Sequence, residues 1–316
     1  GTADAIHQNI YALENERPDH VLILSGDHVY KMDYARMLRH HVETDAALTI
    51  ACIEVPREEA TRFGVLSVDK DLRARELEEK PEKPSPLPES SRKRGGIGCL
   101  CSMGIYIFKT EALVRRVVED SKRSTSHDFG RDVIPAMIEQ GDRVFGYRFV
   151  SENSGQSPYW RDVGTLDVYW EAHMDLLSEP SPINLHDTAW PLRTYVSNAP
   201  PVQTRCNGEG KRHESGGHIC DSLLCNGVVV DNARVVRSVL GPNVQVSAGS
   251  VVEDSVILTG CRIGPEAVVR KAVLDKRNCL PEGFHLGVDE SQDRRHFHVS
   301  EGGVVVVPKE MPLFCR

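Results

Sequence analysis

The chain has 316 residues, of which 40% are hydrophobic, and carries a formal net charge of −8 with a pI near 5.9. This length is sufficient for one large domain or two modest ones. The acidic balance argues against a broad nucleic-acid surface and against an anionic membrane surface, while a local basic pocket for phosphates stays compatible with it. No apolar run approaches the roughly 18 residues that span a bilayer, and the first ten residues do not resemble a signal peptide.

Nine cysteines are scattered along the chain. An odd, dispersed set in a chain of this length is typical of a reducing cytoplasm and not of a disulfide framework, so we expect a cytoplasmic protein. One loose group of cysteines and histidines matches no standard zinc spacing, which favours a linker containing thiols over a metal site. The group comprises Cys206, His213, His218, Cys220 and Cys225.

The first half of the chain alternates between helix-like and strand-like segments. Ile6, Ile10 and Leu13 open it at helical spacing. The alternation predicts an α/β domain over residues 1–177 with a mostly parallel sheet. Because this first helix has nothing before it to pack against, we expect the N-terminal part of the domain to be missing. The predicted segments are strands at 21–24, 48–55, 64–68, 105–108 and 144–150, and helices at 34–42, 113–118, 133–140 and 166–177.

Two stretches rich in proline and polar residues interrupt the pattern. Residues 80–98 read as a solvated loop, and the glycines at 95, 96 and 98 follow no strand, so they do not predict a phosphate loop. Residues 178–215 read as a linker.

From about residue 220 the apolar residues recur at a six-residue interval. Leu240, Val246, Val252 and Leu258 fall six apart. A second series in a shifted register contains Val268, Leu274, Leu280 and Leu286. A hexapeptide period sustained over more than six units predicts a left-handed parallel β-helix over residues 216–316.

A carboxylate follows the first predicted strand in "LSGDH". Ligands of open α/β sheets bind beyond the carboxyl ends of strands, and Gly26 permits a close backbone approach, so Asp27 is suited to hold a divalent cation beside phosphates. The alternative is a simple turn after a strand. Asp162 in "YWRDVGT" adds a second carboxylate, which makes a two-carboxylate Mg²⁺ site, although it also suits a helix cap.

A charged segment, "ELEEKPEKP", provides a third element. Glu79-Lys80 precedes a proline, so the backbone there is expected to be extended, and lysine is a mobile point charge suited to a phosphate. An exposed charged loop is the alternative.

Several motifs together resemble the sugar-nucleotide pyrophosphorylases, and among them the bacterial glucose-1-phosphate adenylyltransferases. They are "GTADA", "LSGDHVYKMDY", "RFGVLSVD", "EEKP", "SMGIYIF", "SHDFGRDVIP", "YWRDVGTLDVYW" and "WPLRTY". The resemblance extends over nearly the whole chain. It implies a Rossmann-like nucleotidyltransferase domain followed by a β-helix, and Mg²⁺-assisted transfer of a nucleotidyl group from ATP to α-D-glucose 1-phosphate for glycogen synthesis.

Carried over to this sequence, the resemblance implies that Asp27 and Asp162 hold the Mg²⁺ ion. Lys80 and Glu79 bind glucose 1-phosphate. The remaining implied contacts are Gly64 and Ser102 at the product, Thr2 and Ala3 at the nucleotide, and Arg294 and Arg295 at an allosteric effector. A homotetramer regulated by metabolites, with no nucleic-acid or membrane partner, is the expected assembly.

The family's glycine-rich nucleotide loop, which cradles the triphosphate with backbone N–H groups, precedes "GTADA" and is not in this sequence. We therefore expect little turnover from this chain alone. Three alternatives stay open: another nucleotide or sugar 1-phosphate, a non-catalytic regulatory or assembly subunit, and a β-helix acyltransferase. The acyltransferase needs a histidine at a coil edge, and residues 222–280 contain none.

Overall fold

A computed structural model describes residues 1–87, 98–150, 158–195, 198–206 and 217–311. The chain divides into two compact units. The first, here called the sheet unit, comprises Gly1–Gly26 and Lys31–Pro158, and the second, the β-helix unit, comprises Asp27–Tyr30 and Tyr159–Arg316. In the described part of the chain, no helix has the length and apolar character needed to cross a membrane.

The α/β pattern expected for the first half is present. The helices are α1 (Thr2–His7), α2 (Ile10–Glu16), α3 (Tyr34–Glu43), α4 (Arg57–Ala60), α5 (Thr110–Ser121), α6 (Ile134–Glu139) and α7 (Leu166–Asp175), with a π-helical turn at Phe129–Val133. The strands are β1 (His20–Ile23), β2 (His28–Tyr30), β3 (Leu48–Pro56), β4 (Gly64–Val68), β5 (Ala74–Glu79), β6 (Gly98–Lys109), β7 (Val144–Arg148) and β8 (Trp160–Asp162).

The strands of the sheet unit follow the order β5-β4-β6-β3-β7, and β1 also pairs with β6. The pair β3/β7 is parallel, whereas β1/β6, β3/β6, β4/β6 and β4/β5 are antiparallel. The prediction of a mostly parallel sheet is therefore wrong. Since β6 runs against the three strands that flank it, one reversed central strand makes most of the pairings antiparallel, and hydrophobic periodicity carries no information on strand direction.

The long strand β6 serves two neighbours along one edge. Val65 of β4 pairs with Cys101, and β1 pairs farther along with Tyr106 to Lys109. Between these sections β6 bulges, because three residues, 103–105, lie opposite the single residue Ala51 of β3. Gly104 has a φ of 66° there, a conformation that glycine adopts without strain.

The core of the sheet unit lies where helices cover the sheet. Leu48 and Ile50 of β3, Phe108 of β6, Leu113 of α5 and Ile134 of α6 are fully buried. Helix α3 begins where the Asp33 carboxylate accepts a hydrogen bond from the backbone N–H of Ala35 at 3.0 Å. The five buried side chains belong to one cluster that joins β3 and β6 to α5 and α6.

Apart from the β2/β8 pair and α7, the β-helix unit consists of short strands stacked in three sheets, in which every pair is parallel except β23/β24. They are β9 (Gln203–Arg205), β10 (His218–Cys220), β11 (Leu223–Leu224), β12 (Val229–Asp231), β13 (Arg234–Val236), β14 (Val239–Leu240), β15 (Gln245–Val246), β16 (Val251–Glu253), β17 (Val256–Ile257), β18 (Arg262–Ile263), β19 (Val268–Arg270), β20 (Ala272–Leu274), β21 (Cys279–Leu280), β22 (His285–Leu286), β23 (His298–Val299) and β24 (Val305–Val307), with α8 (Glu290–His296) after β22.

A coil of this β-helix takes 17 residues, since Arg234 pairs with Val251, and Val251 in turn pairs with Val268. The interior positions are therefore spaced six, six and five residues apart, and each is at most 3% exposed. They are Leu240, Val246, Val252, Ile257, Ile263, Val269, Leu274, Leu280 and Leu286.

The five-residue step corrects two predicted positions. Leu258 does not face the interior but lies in an outer cluster with Tyr169 and Trp170 of α7. Val268 is only partly buried, and its neighbour Val269 fills the interior. A strict six-residue interval drifts out of phase with the coil at each turn, so it misassigns these residues while still identifying the fold.

Candidate active site

The two predicted metal ligands come together in the β-helix unit. Strands β2 and β8 pair antiparallel, with His28 directly opposite Asp162, and Asp27 immediately precedes β2. One ligand atom from each of Asp27, His28 and Asp162 lies within 4.8 Å of the others. The backbone N–H of Val163 also donates to the carbonyl oxygen of Asp27 at 2.9 Å, so the backbone joins both aspartates.

The donor set fits a divalent cation that also contacts phosphate. The Asp27 side chain is 60% exposed, and Asp162 is exposed as well. The N–H of Gly164 donates to Oδ1 of Asp162 at 2.9 Å and orients that carboxylate. Two exposed carboxylates leave room for water and substrate phosphates, as Mg²⁺ sites in proteins do. The nearby His28 Nε2, 3.6 Å from Asp27 Oδ1, is a donor that softer metals prefer.

A second group of candidate residues meets in the sheet unit around Glu79. Gly64 lies opposite Glu79 in the β4/β5 pair. A Cβ atom at Gly64 would lie 2.8 Å from Glu79 Oε2 and 3.8 Å from the Cβ of Ser102. A Cβ atom at Gly130 would lie 3.0 Å from the same Glu79 oxygen. The carboxylate of Glu79 therefore occupies space that the two glycines leave open.

The charge of Glu79 is influenced by its surroundings. Burial raises its pKa, and the nearby Asp128 carboxylate raises it further, while Lys80 and Arg131 act in the opposite direction. Lys80 itself is exposed and has a φ of 52°, and its N–H donates to Phe63 O at 3.0 Å. The extended conformation expected before Pro81 is thus wrong for Lys80, which turns the chain sharply at the end of β5.

Ser102 lies in β6 beside Tyr106. Its hydroxyl accepts a hydrogen bond from the N–H of Gly104 at 3.2 Å and is also hydrogen-bonded to the Tyr106 hydroxyl. Burial raises the pKa of Tyr106 to about 12, so its hydroxyl stays protonated at neutral pH. The bulge of β6 thus holds a fixed donor and acceptor pair near Glu79.

Thr2 and Ala3 are both bound to the segment 127–129. The Thr2 hydroxyl donates to Asp128 Oδ2 at 2.9 Å and accepts from the N–H of Phe129 at 3.0 Å. Ala3 is buried, and its N–H donates to the carbonyl oxygen of His127 at 2.9 Å. Because Asp128 also acts on Glu79, the predicted nucleotide residues and sugar residues belong to one connected group.

Sequence reasoning did not assign a role to Asp128 or Gly130. Asp128 Oδ1 accepts from the N–H groups of Gly130 at 2.9 Å and Arg131 at 3.1 Å, which caps the π-helical turn. The signal was present in "SHDFG", where an aspartate precedes an aromatic residue and a glycine. Only the fold reveals that this cap lies beside Glu79.

The predicted effector residues lie on α8. Arg294 forms an ion pair with Glu290 at 2.7 Å, and its Nη1 donates to the carbonyl oxygen of Val299 at 3.3 Å. Arg295 Nη1 donates to Gln292 Oε1 at 3.4 Å. Both arginines are exposed, so α8 presents two guanidinium groups to solvent.

The loose cysteine and histidine group does not form a metal site in the described residues. Among these, Asp27, His28 and Asp162 are the metal-ligand cluster that the geometry permits. His213 lies outside the described residues, and so do the glycines at 95 and 96, whereas Gly98 begins β6.

Comparison with known proteins assigns the family. The nucleotidyl transferase family model matches residues 1–179, and the model of a GlmU-like C-terminal hexapeptide region matches residues 204–307. The chain is 45% identical to the glucose-1-phosphate adenylyltransferase of Nitrosospira multiformis, with 98% of this chain and 72% of that protein covered. The chain belongs to the glucose-1-phosphate adenylyltransferase family.

Two further adenylyltransferases support this assignment. The enzyme of Nitrosomonas europaea is 43% identical, covering 98% of this chain and 71% of the relative, and that of Dechloromonas aromatica is 42% identical, covering 98% and 69%. Nucleotidyltransferases generally use a divalent metal ion, and the cluster of Asp27 and Asp162 fits this requirement. The expected α/β domain and parallel β-helix of the adenylyltransferase family are confirmed.

Proposed function

We propose that this chain carries the metal and sugar-phosphate sites of an adenylyl transfer reaction, in which ATP and α-D-glucose 1-phosphate give ADP-glucose and pyrophosphate for glycogen synthesis. The proposal rests chiefly on the pairing of β2 with β8, which brings Asp27 and Asp162 within reach of one ion. Family membership supports the choice of nucleotide and sugar.

Each residue has a defined task in this reaction. Asp27 and Asp162 hold Mg²⁺, which when bound neutralises charge on the reacting phosphates. Lys80 offsets the charge of the sugar phosphate, and Glu79 accepts hydrogen bonds from sugar hydroxyls. A phosphate oxygen of glucose 1-phosphate attacks the α-phosphorus of ATP, and the bond from that phosphorus to the pyrophosphate oxygen breaks. The attacking oxygen is already anionic, so positioning and charge neutralisation do most of the work.

The fold and the arginines of α8 motivate a wider proposal. We infer a cytoplasmic homotetramer whose β-helix contributes subunit contacts, and whose Arg294 and Arg295 bind an anionic metabolite effector. Thr2 and Ala3 lie near the nucleotide base in this scheme, and Gly64 and Ser102 line the product site. Light scattering of the purified chain measures the assembly, and a stable monomer would contradict a tetramer for residues 1–316.

The test measures binding by this chain. Mn²⁺ is titrated as a paramagnetic substitute for Mg²⁺. In a separate experiment, ADP-glucose is titrated by calorimetry with and without Mg²⁺. We expect Asp27→Asn and Asp162→Asn each to weaken Mn²⁺ binding by more than about tenfold. The matched control is Asp71→Asn, which replaces an exposed aspartate of the sheet unit and should leave the Mn²⁺ affinity unchanged. Equal Mn²⁺ affinity in all variants would reject the site.

The same titrations separate the neighbouring candidate functions. Tighter binding of UDP-glucose or GDP-sugars than of ADP-glucose would favour another nucleotidyltransferase. Absence of both metal and sugar-nucleotide binding, with an intact assembly, would favour a regulatory or assembly subunit.

A further inference from the structure

Helix α7 connects the candidate metal ligand Asp162 to the stacked coils of the β-helix unit. Thr165 caps the helix, since its Oγ1 accepts from the N–H of Val168 at 3.3 Å. Two residues, Val163 and Gly164, separate this cap from Asp162, and their N–H groups bond to the Asp27 carbonyl and the Asp162 carboxylate. A shift of the first turn of α7 therefore moves the backbone that positions both aspartates.

The carboxylate of Asp167 holds this first turn against the loop at 300–303. Its Oδ1 accepts a hydrogen bond from the Ser300 hydroxyl, and its Oδ2 accepts from the N–H of Gly302 at 3.1 Å. Ser300 is buried, and the carbonyl oxygen of Gly302 accepts from Lys271 Nζ at 2.6 Å. The loop that bonds Asp167 is thus itself fixed to the β-helix.

The rest of α7 packs on the same surface. The indole N–H of Trp170 donates to the carbonyl oxygen of Asp254 at 2.7 Å, and Lys271 Nζ lies 5.5 Å from the centre of the Trp170 ring. Tyr169, Trp170 and Met174 contact the outer cluster of Val256, Val273 and Val304. This apolar contact presses α7 onto the coils.

Strand β8 is bound to α7 by ion pairs. Arg161 pairs with Asp175 at 2.9 Å and with Glu171 at 3.2 Å. The hydroxyl of Tyr159 donates to the same Asp175 carboxylate at 2.8 Å. The position of β8, which carries Asp162, therefore depends on the position of α7. The position of α7 depends in turn on its contacts with the β-helix.

We propose that Asp167 is a positioning residue for the metal site. Its two hydrogen bonds fix the first turn of α7 against residues 300–303, and this sets the distance of Asp162 from Asp27. Apolar packing tolerates small sliding of a helix, whereas two hydrogen bonds from one carboxylate define its position along and around its axis. The inference rests on the proposed metal site formed by Asp27 and Asp162.

Two variants perturb this contact from opposite sides. Asp167→Ala removes both acceptors. Gly302→Ala places a Cβ atom 2.7 Å from Asp167 Oδ1. It pushes the carboxylate away while the amino-acid sequence of α7 stays the same. Asp167→Asn keeps one acceptor and provides a graded rescue. Glu310→Ala is the control, because it removes an exposed carboxylate whose ion-pair partner, Arg277, lies between β20 and β21 and not in α7.

The readout is the dissociation constant of Mn²⁺ alone, measured by electron paramagnetic resonance on the full chain, with circular dichroism to verify folding. We expect Asp167→Ala and Gly302→Ala to weaken Mn²⁺ binding by about tenfold. The affinity of Asp167→Asn should lie between that of Asp167→Ala and that of the parent chain, and the affinity of Glu310→Ala should equal that of the parent chain. Should Asp167→Ala fail to fold, Gly302→Ala decides.

The outcomes separate the two proposals. A parent chain that binds no Mn²⁺, or binds it independently of Asp162, overturns the metal site itself. Binding that depends on Asp162 and is unchanged in both Asp167→Ala and Gly302→Ala overturns the positioning role alone. An equal loss in Glu310→Ala also overturns it, because it would indicate a general loss of stability.

Discussion

The hydroxyl of Thr2 bridges Asp128 and the backbone of the π-helical turn, donating to the carboxylate at 2.9 Å and accepting from Phe129 N–H at 3.0 Å. Thr2→Val keeps the shape of the side chain but leaves the Phe129 N–H without this acceptor. We expect the free energy of unfolding to fall by about 1 kcal/mol, measured by urea denaturation. Thr2→Ser retains both bonds and is the control; an equal loss there would contradict the role of the hydroxyl.

Gly64 keeps the carboxylate of Glu79 in place. A Cβ atom at residue 64 would lie 2.8 Å from Glu79 Oε2, so Gly64→Ala moves the carboxylate that we expect to bind the sugar. The predicted effect is about a tenfold weaker binding of glucose 1-phosphate, equivalent to about 1.4 kcal/mol, by calorimetry. Ser67→Ala on the same strand should bind normally. Unchanged affinity in Gly64→Ala would remove Glu79 from the sugar site.

Lys80 and Lys83 offer a matched pair of exposed lysines three residues apart. If Lys80 binds the sugar phosphate, Lys80→Gln should weaken the binding of glucose 1-phosphate by about tenfold. The affinity of this variant should also depend less on salt concentration. Lys83→Gln should have little effect. Similar losses in both variants would point to a diffuse positive potential instead of a specific contact.

His41 makes the stability of the sheet unit dependent on pH. Its side chain is fully buried, with Nδ1 2.8 Å from the Thr49 hydroxyl. Its pKa is lowered from 6.5 to about 4, chiefly by burial and in addition by the nearby positive charges of His20 and Lys109. Between pH 6.5 and about 4, the unfolded chain therefore binds a proton at His41 that the folded chain does not bind.

We accordingly expect the stability that depends on neutral His41 to be present above pH 6.5 and to be lost as the pH falls towards 4. The loss amounts to about 3 kcal/mol. Urea denaturation at pH 7 and pH 5 measures the larger part of this loss, about 2 kcal/mol. His41→Gln, which stays neutral, should show a smaller difference between the two pH values than the exposed-site control His285→Gln. An equal difference would assign the effect to other groups.

Sequence patterns predicted the elements better than their pairing. The β-helix and the α/β alternation follow from periodicity, because interior and exterior positions differ in polarity along the chain. The antiparallel direction of β6 has no such signature. The 17-residue coil was visible only as a slip between two hexapeptide series, and its meaning required the strand register.

The candidate site was predicted to a similar extent. Asp27 and Asp162 carry a local signal, a carboxylate after an apolar run or before a helix. Strands β2 and β8 have three residues each, too short for periodicity, so their pairing and the presence of His28 beside the aspartates could not be foreseen. The capping role of Asp128 has a local signal in "SHDFG", but its contact with Thr2 and its influence on Glu79 are distant in sequence, so its place in the site was missed.

The shared edge of β6 restricts how the length of this chain can vary. Ser102 lies on the section beside β4, and Tyr106 on the section beside β1. Inserting or deleting one residue between them would turn every following side chain to the opposite face and displace β1 by about 3.4 Å along the strand. Most substitutions at these positions can be absorbed by repacking, but a change in the number of residues cannot. Natural variants should therefore exclude insertions and deletions across residues 102–106 and retain glycine at 104, where φ is 66°.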